Sequence, residues 1–322
     1  MHRKWLTGSR RLALALLALL VFAGLGVAHA QEAHRVGPPV VVIIDSGVAA
    51  DHPAFHDRWL TAGEVTKRLP TGLSAGGDGP WPGWDFLTHS PRLRDPSGHG
   101  THVAGVIADA LARGGAACAT VRLVMLRSGD KHQRLEDVTA AVEAVSAMCD
   151  LGWDIPVVLC AFEYRRSPKD EAAFLKFENA FRQLLSHDTT CVCAAGNQSV
   201  DIDTLPNALG LFPASFHGPG LIAVAACGND GQLLATSDYG PTSVLLAAPG
   251  LAVLAAAASG GKESRSGTSQ AAASVAGALA RHAAETGDRR PAALRAWLLS
   301  QAKHHPSLIG RVASGSALLP GK

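Results

Sequence analysis

Short, unbroken apolar runs alternate along this chain with longer stretches in which apolar residues recur every three or four positions. The runs predict strands at 40–44, 121–126, 157–162, 190–195, 221–226 and 244–247. They lack the in-out alternation of a half-exposed strand, so they read as strands covered on both faces. The periodic stretches predict helices at 101–111, 135–148, 170–185, 269–284 and 291–301. In the second of these, Leu135, Val138, Val142, Val145 and Met148 share one face and form a buried stripe. Pro291 suits a first helical turn. Apolar strands alternating with helices predict an α/β domain, with a mainly parallel central sheet and helices on both faces. Residues 71–80, rich in Gly and Pro, predict a loop, and 305–322 has no period and reads as a peripheral tail.

The N-terminus breaks the pattern. Basic residues at 3, 4, 10 and 11 precede an apolar stretch from Leu12 to Ala28, and Ala28-His29-Ala30 fits a small-residue cleavage site. Residues 1–30 therefore predict a secretory signal peptide, removed near Ala30, and a periplasmic or extracellular protein with no stable membrane association. The rival reading is an uncleaved membrane anchor, for which the stretch is short. With those four cations set aside, 25 basic residues face 27 acidic ones, which argues against nucleic acid as a partner. Export permits disulfides among the six cysteines. One pairing follows from the strand–helix pattern: Cys118 precedes a strand and Cys149 ends the helix returning from it, so a Cys118–Cys149 bridge is expected.

Three segments carry candidate chemistry. In the first, the run Val41-Val42-Ile43-Ile44 ends in Asp45-Ser46-Gly47, placing a carboxylate at the C-terminal end of a buried strand, the end at which open α/β sheets bind ligands. In the second, Gly98-His99-Gly100-Thr101-His102 sets an imidazole in a glycine-rich turn before a helix. In the third, Ser266-Gly267-Thr268-Ser269 sets a hydroxyl where another helix starts, beside unpaired backbone N–H groups that can receive an oxyanion. Ser269 is also an ordinary candidate for an N-cap. His102 stands three residues after His99, yet no Cys or carboxylate at matching spacing completes a metal site. His52 and His56 read as surface residues, Asp95 as a cap or a solvated charge, and Ser46 as a local turn partner.

The chain order Asp45, His99, Ser269 resembles that of the subtilisin-like serine peptidases, the subtilases. Asp51-His52-Pro53, Gly83-Trp84-Asp85-Phe86, Ala194-Ala195-Gly196-Asn197, Ser237-Asp238-Tyr239-Gly240 and Ala248-Pro249-Gly250 strengthen the resemblance. It implies a single-domain subtilisin-like fold over 38–304 and a serine endopeptidase working on polypeptides. Ser269 would be the nucleophile, His99 its base, Asp45 the residue orienting His99, and Asn197 an oxyanion donor. It also implies that Ala161, Phe162 and Glu163 pair with an extended substrate opposite Ala194, Ala195 and Gly196. This chemistry needs no cofactor. Subtilases often hold structural Ca²⁺, but no acidic loop with EF-hand spacing occurs here.

Three features depart from the family pattern. Only a short linker, 31–37, separates the predicted signal from the first strand, too little for the prodomain that secreted subtilases commonly carry. Glu163 and Tyr164 stand where the family has small residues; Glu163 either faces solvent or biases cleavage toward basic residues. Gln270, Ala273 and Ser274 replace the residues usual after the nucleophile. The rival to a peptidase is a catalytically weak scaffold of this fold that binds peptides.

Overall fold

The unbroken apolar runs become the inner strands of a nine-stranded sheet. The structure is a computed structural model and describes residues 35–65, 68–130 and 134–319, so the predicted signal peptide and the start of the linker lie outside the described residues. The sheet strands are β1 (Val40–Asp45), β2 (Gly83–Asp85), β3 (Arg122–Arg127), β4 (Val157–Cys160), β5 (Thr190–Ala194), β6 (Leu221–Cys227) and β7 (Val244–Pro249). After them come a separate hairpin, β8 (Val253–Ala256) and β9 (Lys262–Arg265), then β10 (Lys303–His304) and β11 (Ser316–Ala317). The spatial order is β10-β11-β7-β6-β5-β4-β1-β3-β2. All neighbours run parallel except β10 against β11. The five main helices are α1 (His99–Ala112), α2 (Leu135–Asp150), α3 (Glu171–Leu184), α4 (Thr268–Thr286) and α5 (Pro291–Gln301).

Successive strand residues point to opposite faces. Val41, Ile43, Leu123, Met125 and Leu159 pack on one side with the buried faces of α1 and α4. Val42, Ile44, Val124, Leu126 and Cys160 pack on the other with α2 and α3. Both faces are therefore covered, which is why these strands carry no polar alternation. Gly37–Lys322 forms one compact unit, and among the described residues no helix is long and apolar enough to cross a membrane.

Two expectations are corrected. The segment after His304 is not peripheral: β11 pairs with β7, and Leu308, Val312 and Ala317 are buried. Two-residue strands are too short to show a period. None of the six cysteines forms a disulfide. Cys118 packs on the α1/α4 side, with Sγ 3.8 Å from the main-chain oxygen of Arg281 in α4, whereas Cys149 packs on the α2/α3 side. Sequence spacing put the two at the same end of the sheet, but the sheet lies between them.

Candidate active site

Each chemical group sits where a regular element begins or ends at one rim of the sheet. Strand β1 stops at Asp45 because Gly47 takes φ 116°, and a side chain there would run into the main-chain oxygen of Arg94. Asp45 is buried; its Oδ1 accepts the Ser46 N–H at 2.6 Å and lies 2.8 Å from His99 Nδ1. A carboxylate only accepts, so Nδ1 carries the proton and Nε2 is left as the base. The Asp45 charge, the largest influence, raises the pKa of His99 above the ordinary imidazole range, against the opposing pull of burial. Arg265 acts in the lowering direction, and its guanidinium donates to the Ser97 oxygen at 2.8 Å beside the His99 turn.

Asp95 ties this turn to β1. Its Oδ1 accepts from Ser46 Oγ at 2.8 Å, and its Oδ2 accepts from the Thr101 N–H at 2.7 Å and the Thr101 hydroxyl at 2.6 Å. Gly98, the N-cap of α1, has no side chain to offer, so Asp95 does the capping from outside the helix. Ser46 Oγ in turn accepts the Gly100 N–H at 2.9 Å. Beneath Asp45, Arg127 donates to the Ser46 oxygen at 2.9 Å and to Asp85 at 2.7 Å, with both side chains buried. Sequence reasoning missed Arg127; its one signal is a charge at the end of an apolar strand.

Ser269 is not an N-cap. That position is Gly267, and Ser269 is the second residue of α4. The first helical N–H, from Thr268, goes to Asn197 Oδ1 at 3.0 Å, and the Thr268 hydroxyl reaches the same oxygen at 3.3 Å. Both contacts use the Asn197 oxygen, so its NH₂ is not the group that holds α4. Ser269 Oγ donates to the Ala161 oxygen at 3.2 Å rather than to His99 Nε2. Asp45 and His99 are thus engaged in the structure, while Ser269 faces the chain leaving β4. That strand ends at Cys160, paired with Cys193 of β5, so Ala161, Phe162 and Glu163 leave the sheet at the same rim as Ala194, Ala195 and Gly196.

His102 is structural. Buried, with its pKa lowered by that burial, it lies 3.0 Å from the Val253 oxygen and 3.2 Å from the Glu263 oxygen, so Nε2–H pins the β8–β9 hairpin. Gln270 approaches its Nδ1, and Ser274 Oγ donates to the Gln270 oxygen, so two of the departures after Ser269 have local partners. His52 Nδ1 accepts the Ala54 N–H, and His56 pairs with Asp57 at the surface. Among the described residues no three His, Cys, Asp or Glu side chains gather as a metal site.

A sequence model of the subtilase family matches residues 38–315. The subtilisin-like protease 2 of Plasmodium falciparum (isolate 3D7) is 30% identical over 252 residues, covering 74% of this chain and 17% of that protein. A cuticle-degrading serine protease of Arthrobotrys oligospora is 29% identical over 265 residues, covering 81% of this chain and 56% of that protein. The chain spans less than two thirds of the length of the curated relatives it matches. Among solved structures, a cold adapted subtilisin-like serine proteinase superposes with a TM-score of 0.66 at 23% identity, covering 88% of this chain and 89% of that one.

Proposed function

The chain belongs to the subtilase family, and from that premise we propose that it is an exported serine endopeptidase that hydrolyses polypeptides through an acyl-enzyme on Ser269. The observation that carries the reading is the 2.8 Å contact between His99 Nδ1 and buried Asp45, which fixes the tautomer a general base needs. Ser269 Oγ turns from the Ala161 oxygen to His99 Nε2 when substrate binds and takes up that oxygen; active-site hydrogen bonds commonly close only in the substrate complex. His99 takes the Ser269 proton as Oγ attacks the scissile carbonyl. The oxyanion is met by the Asn197 amide and the backbone N–H of Ser269 at the start of α4. His99 then passes the proton to the leaving amine, and water releases the acyl group by the same steps in reverse order. Every group that moves a proton here is a side chain of this chain, so the steps require no cofactor; calcium would serve only the fold.

Extended substrate docks along Ala161, Phe162 and Glu163, opposite Ala194, Ala195 and Gly196, by backbone pairing that tolerates any side chain. Export rests on the basic, apolar and small-residue order of residues 1–30. A fluorophosphonate probe tests the reading. We expect labelling of the wild type that is lost in Ser269→Ala and strongly slowed in His99→Ala. Labelling that survives Ser269→Ala would assign the nucleophile elsewhere, and an unlabelled wild type would favour the binding scaffold.

A further inference from the structure

Two carboxyl oxygens without hydrogen-bond donors converge beside the loop that carries Asn197. Gly196 has φ 119°, and a Cβ built there would strike Asp238 Oδ2 and lie 2.8 Å from Glu163 Oε2. Asp238 is fully buried at 0% exposure. Its Oδ1 accepts the N–H groups of Gln198 at 2.8 Å and Val200 at 2.9 Å, which holds the loop, but its Oδ2 is buried with no partner. Glu163 approaches from the segment that follows β4. Its Oε1 accepts from the Gln198 side-chain amide, the Asn197 backbone N–H also favours the charged carboxylate, and Oε2 is buried without a hydrogen bond of good geometry. Burial raises the pKa of both carboxyls, and the nearby Asp238 charge adds to the rise at Glu163. The cation nearest in sequence, Arg165, is exposed; its charge acts on both carboxyls without a hydrogen bond to either. Two carboxylate oxygens buried side by side with no cation hydrogen-bonded to them are a disfavoured arrangement, and a ligand carrying a cation relieves it.

The position of the pair says which ligand. Glu163 stands two residues beyond Ala161, whose oxygen holds Ser269 Oγ, and Gly196 directly precedes Asn197. The carboxyls therefore lie between the two chain segments that lead away from the nucleophile and the oxyanion donor. On the acyl-enzyme reading above, that is where the side chain preceding the scissile bond enters. The segments beside it, Ala161-Phe162 and Ala194-Ala195, are apolar and buried, so a methylene stem with a charged head would meet no competing polar side chain from them. We propose that Glu163 and Asp238 form a cation site that receives the Lys or Arg side chain of the residue immediately before the scissile bond. The Glu163 side chain gives up Gln198 and turns its carboxylate to the incoming head, while Asp238, held by the loop, forms the floor. An ammonium or guanidinium supplies several donors at once, enough for both orphaned oxygens.

Peptide anilides that differ only at this residue provide the test. Lys and Arg are compared with their uncharged near-isosteres, norleucine and citrulline. In the wild type we expect kcat/KM for Lys to exceed norleucine by about tenfold or more, the scale of one charge-assisted contact. That ratio should fall toward unity in Glu163→Gln and in Asp238→Asn. Absence of a preference in the wild type, or a preference that survives Glu163→Gln, overturns the proposal. Asp238→Asn can weaken the loop, so Glu163→Gln decides. A binding measurement separates this site from catalysis. The fluorescent cation p-aminobenzamidine should bind Ser269→Ala saturably and lose about tenfold or more in affinity when Glu163→Gln is added. Saturable binding without turnover would sink the peptidase reading alone, whereas turnover without any cation binding would sink this one alone.

Discussion

On the proposed mechanism, Asn197→Ala removes one donor from the oxyanion while leaving Asp45, His99 and Ser269 in place. The Asn197 oxygen accepts the Thr268 N–H at 3.0 Å and the Thr268 hydroxyl at 3.3 Å, and that hydroxyl in turn accepts the Gly196 N–H at 3.2 Å. This small network fixes the side-chain oxygen and, on the proposed mechanism, leaves the NH₂ to meet the oxyanion. Its hydrogen bond strengthens as the carbonyl oxygen takes on charge, so the loss falls on the transition state. Loss of one side-chain oxyanion donor in a subtilisin costs about 2.7–4 kcal/mol, or about 10²–10³ in kcat. The same fall is expected here, with KM nearly unchanged. Removing the oxygen also strands the first N–H of α4, at a cost of about 1 kcal/mol in global stability, which a denaturant melt separates from the kinetic effect. Thr268→Val keeps the NH₂ but loosens its anchor, so its kcat should fall between the two. The assay is steady-state hydrolysis of a chromogenic peptide anilide with kcat and KM resolved. A kcat loss under about threefold in Asn197→Ala, or a loss carried by KM, would refute the assigned geometry.

Three further outcomes follow from the site and its supports. His99 must be neutral to act, and Asp45 raises its pKa, so kcat/KM should rise with pH through a midpoint above the ordinary imidazole value of about 6.5. Arg265→Gln removes a lowering influence and should move that midpoint up, while Asp45→Asn should move it down along with a loss of rate; a midpoint unmoved by either contradicts His99 as the base. Arg127→Met leaves buried Asp85 without its cation, at about 3–5 kcal/mol, so Tm should fall by about 5–8 °C, with partial recovery on adding Asp85→Leu; a shift under about 2 °C would mean that the pair is not structural. Denatured, unreduced protein should present six reactive thiols, and a count of four would restore a bridge.

The α/β layering was legible because each inner strand is apolar on both faces and helices such as α2 and α3 carry one apolar stripe. The edges were not. Gly83–Asp85 and the two-residue strands β10 and β11 are too short to show a period, and their place depends on which neighbour lies beside them. Asp45, His99 and Ser269 could be picked out because each ends or begins an element next to glycine. The rotation of Ser269 Oγ toward Ala161 could not, since a side-chain torsion leaves no mark on spacing. Cys118 and Cys149 misled for a related reason: sequence placed both near one end of a strand–helix unit, but only the packed structure assigns them to opposite faces of the sheet. Arg127 showed only as a charge ending an apolar strand, and Thr268 and Asp238 stood inside quoted motifs without a role of their own, because all three act through tertiary partners.

Acid-quenched mass spectrometry during turnover of an activated peptide ester tests the acyl-transfer claim most directly. A burst of one acyl group per chain is expected on the tryptic peptide that holds Ser269, decaying as product forms and absent from Ser269→Ala. Turnover with no acylated Ser269 at any time, or acylation of another residue, would contradict it.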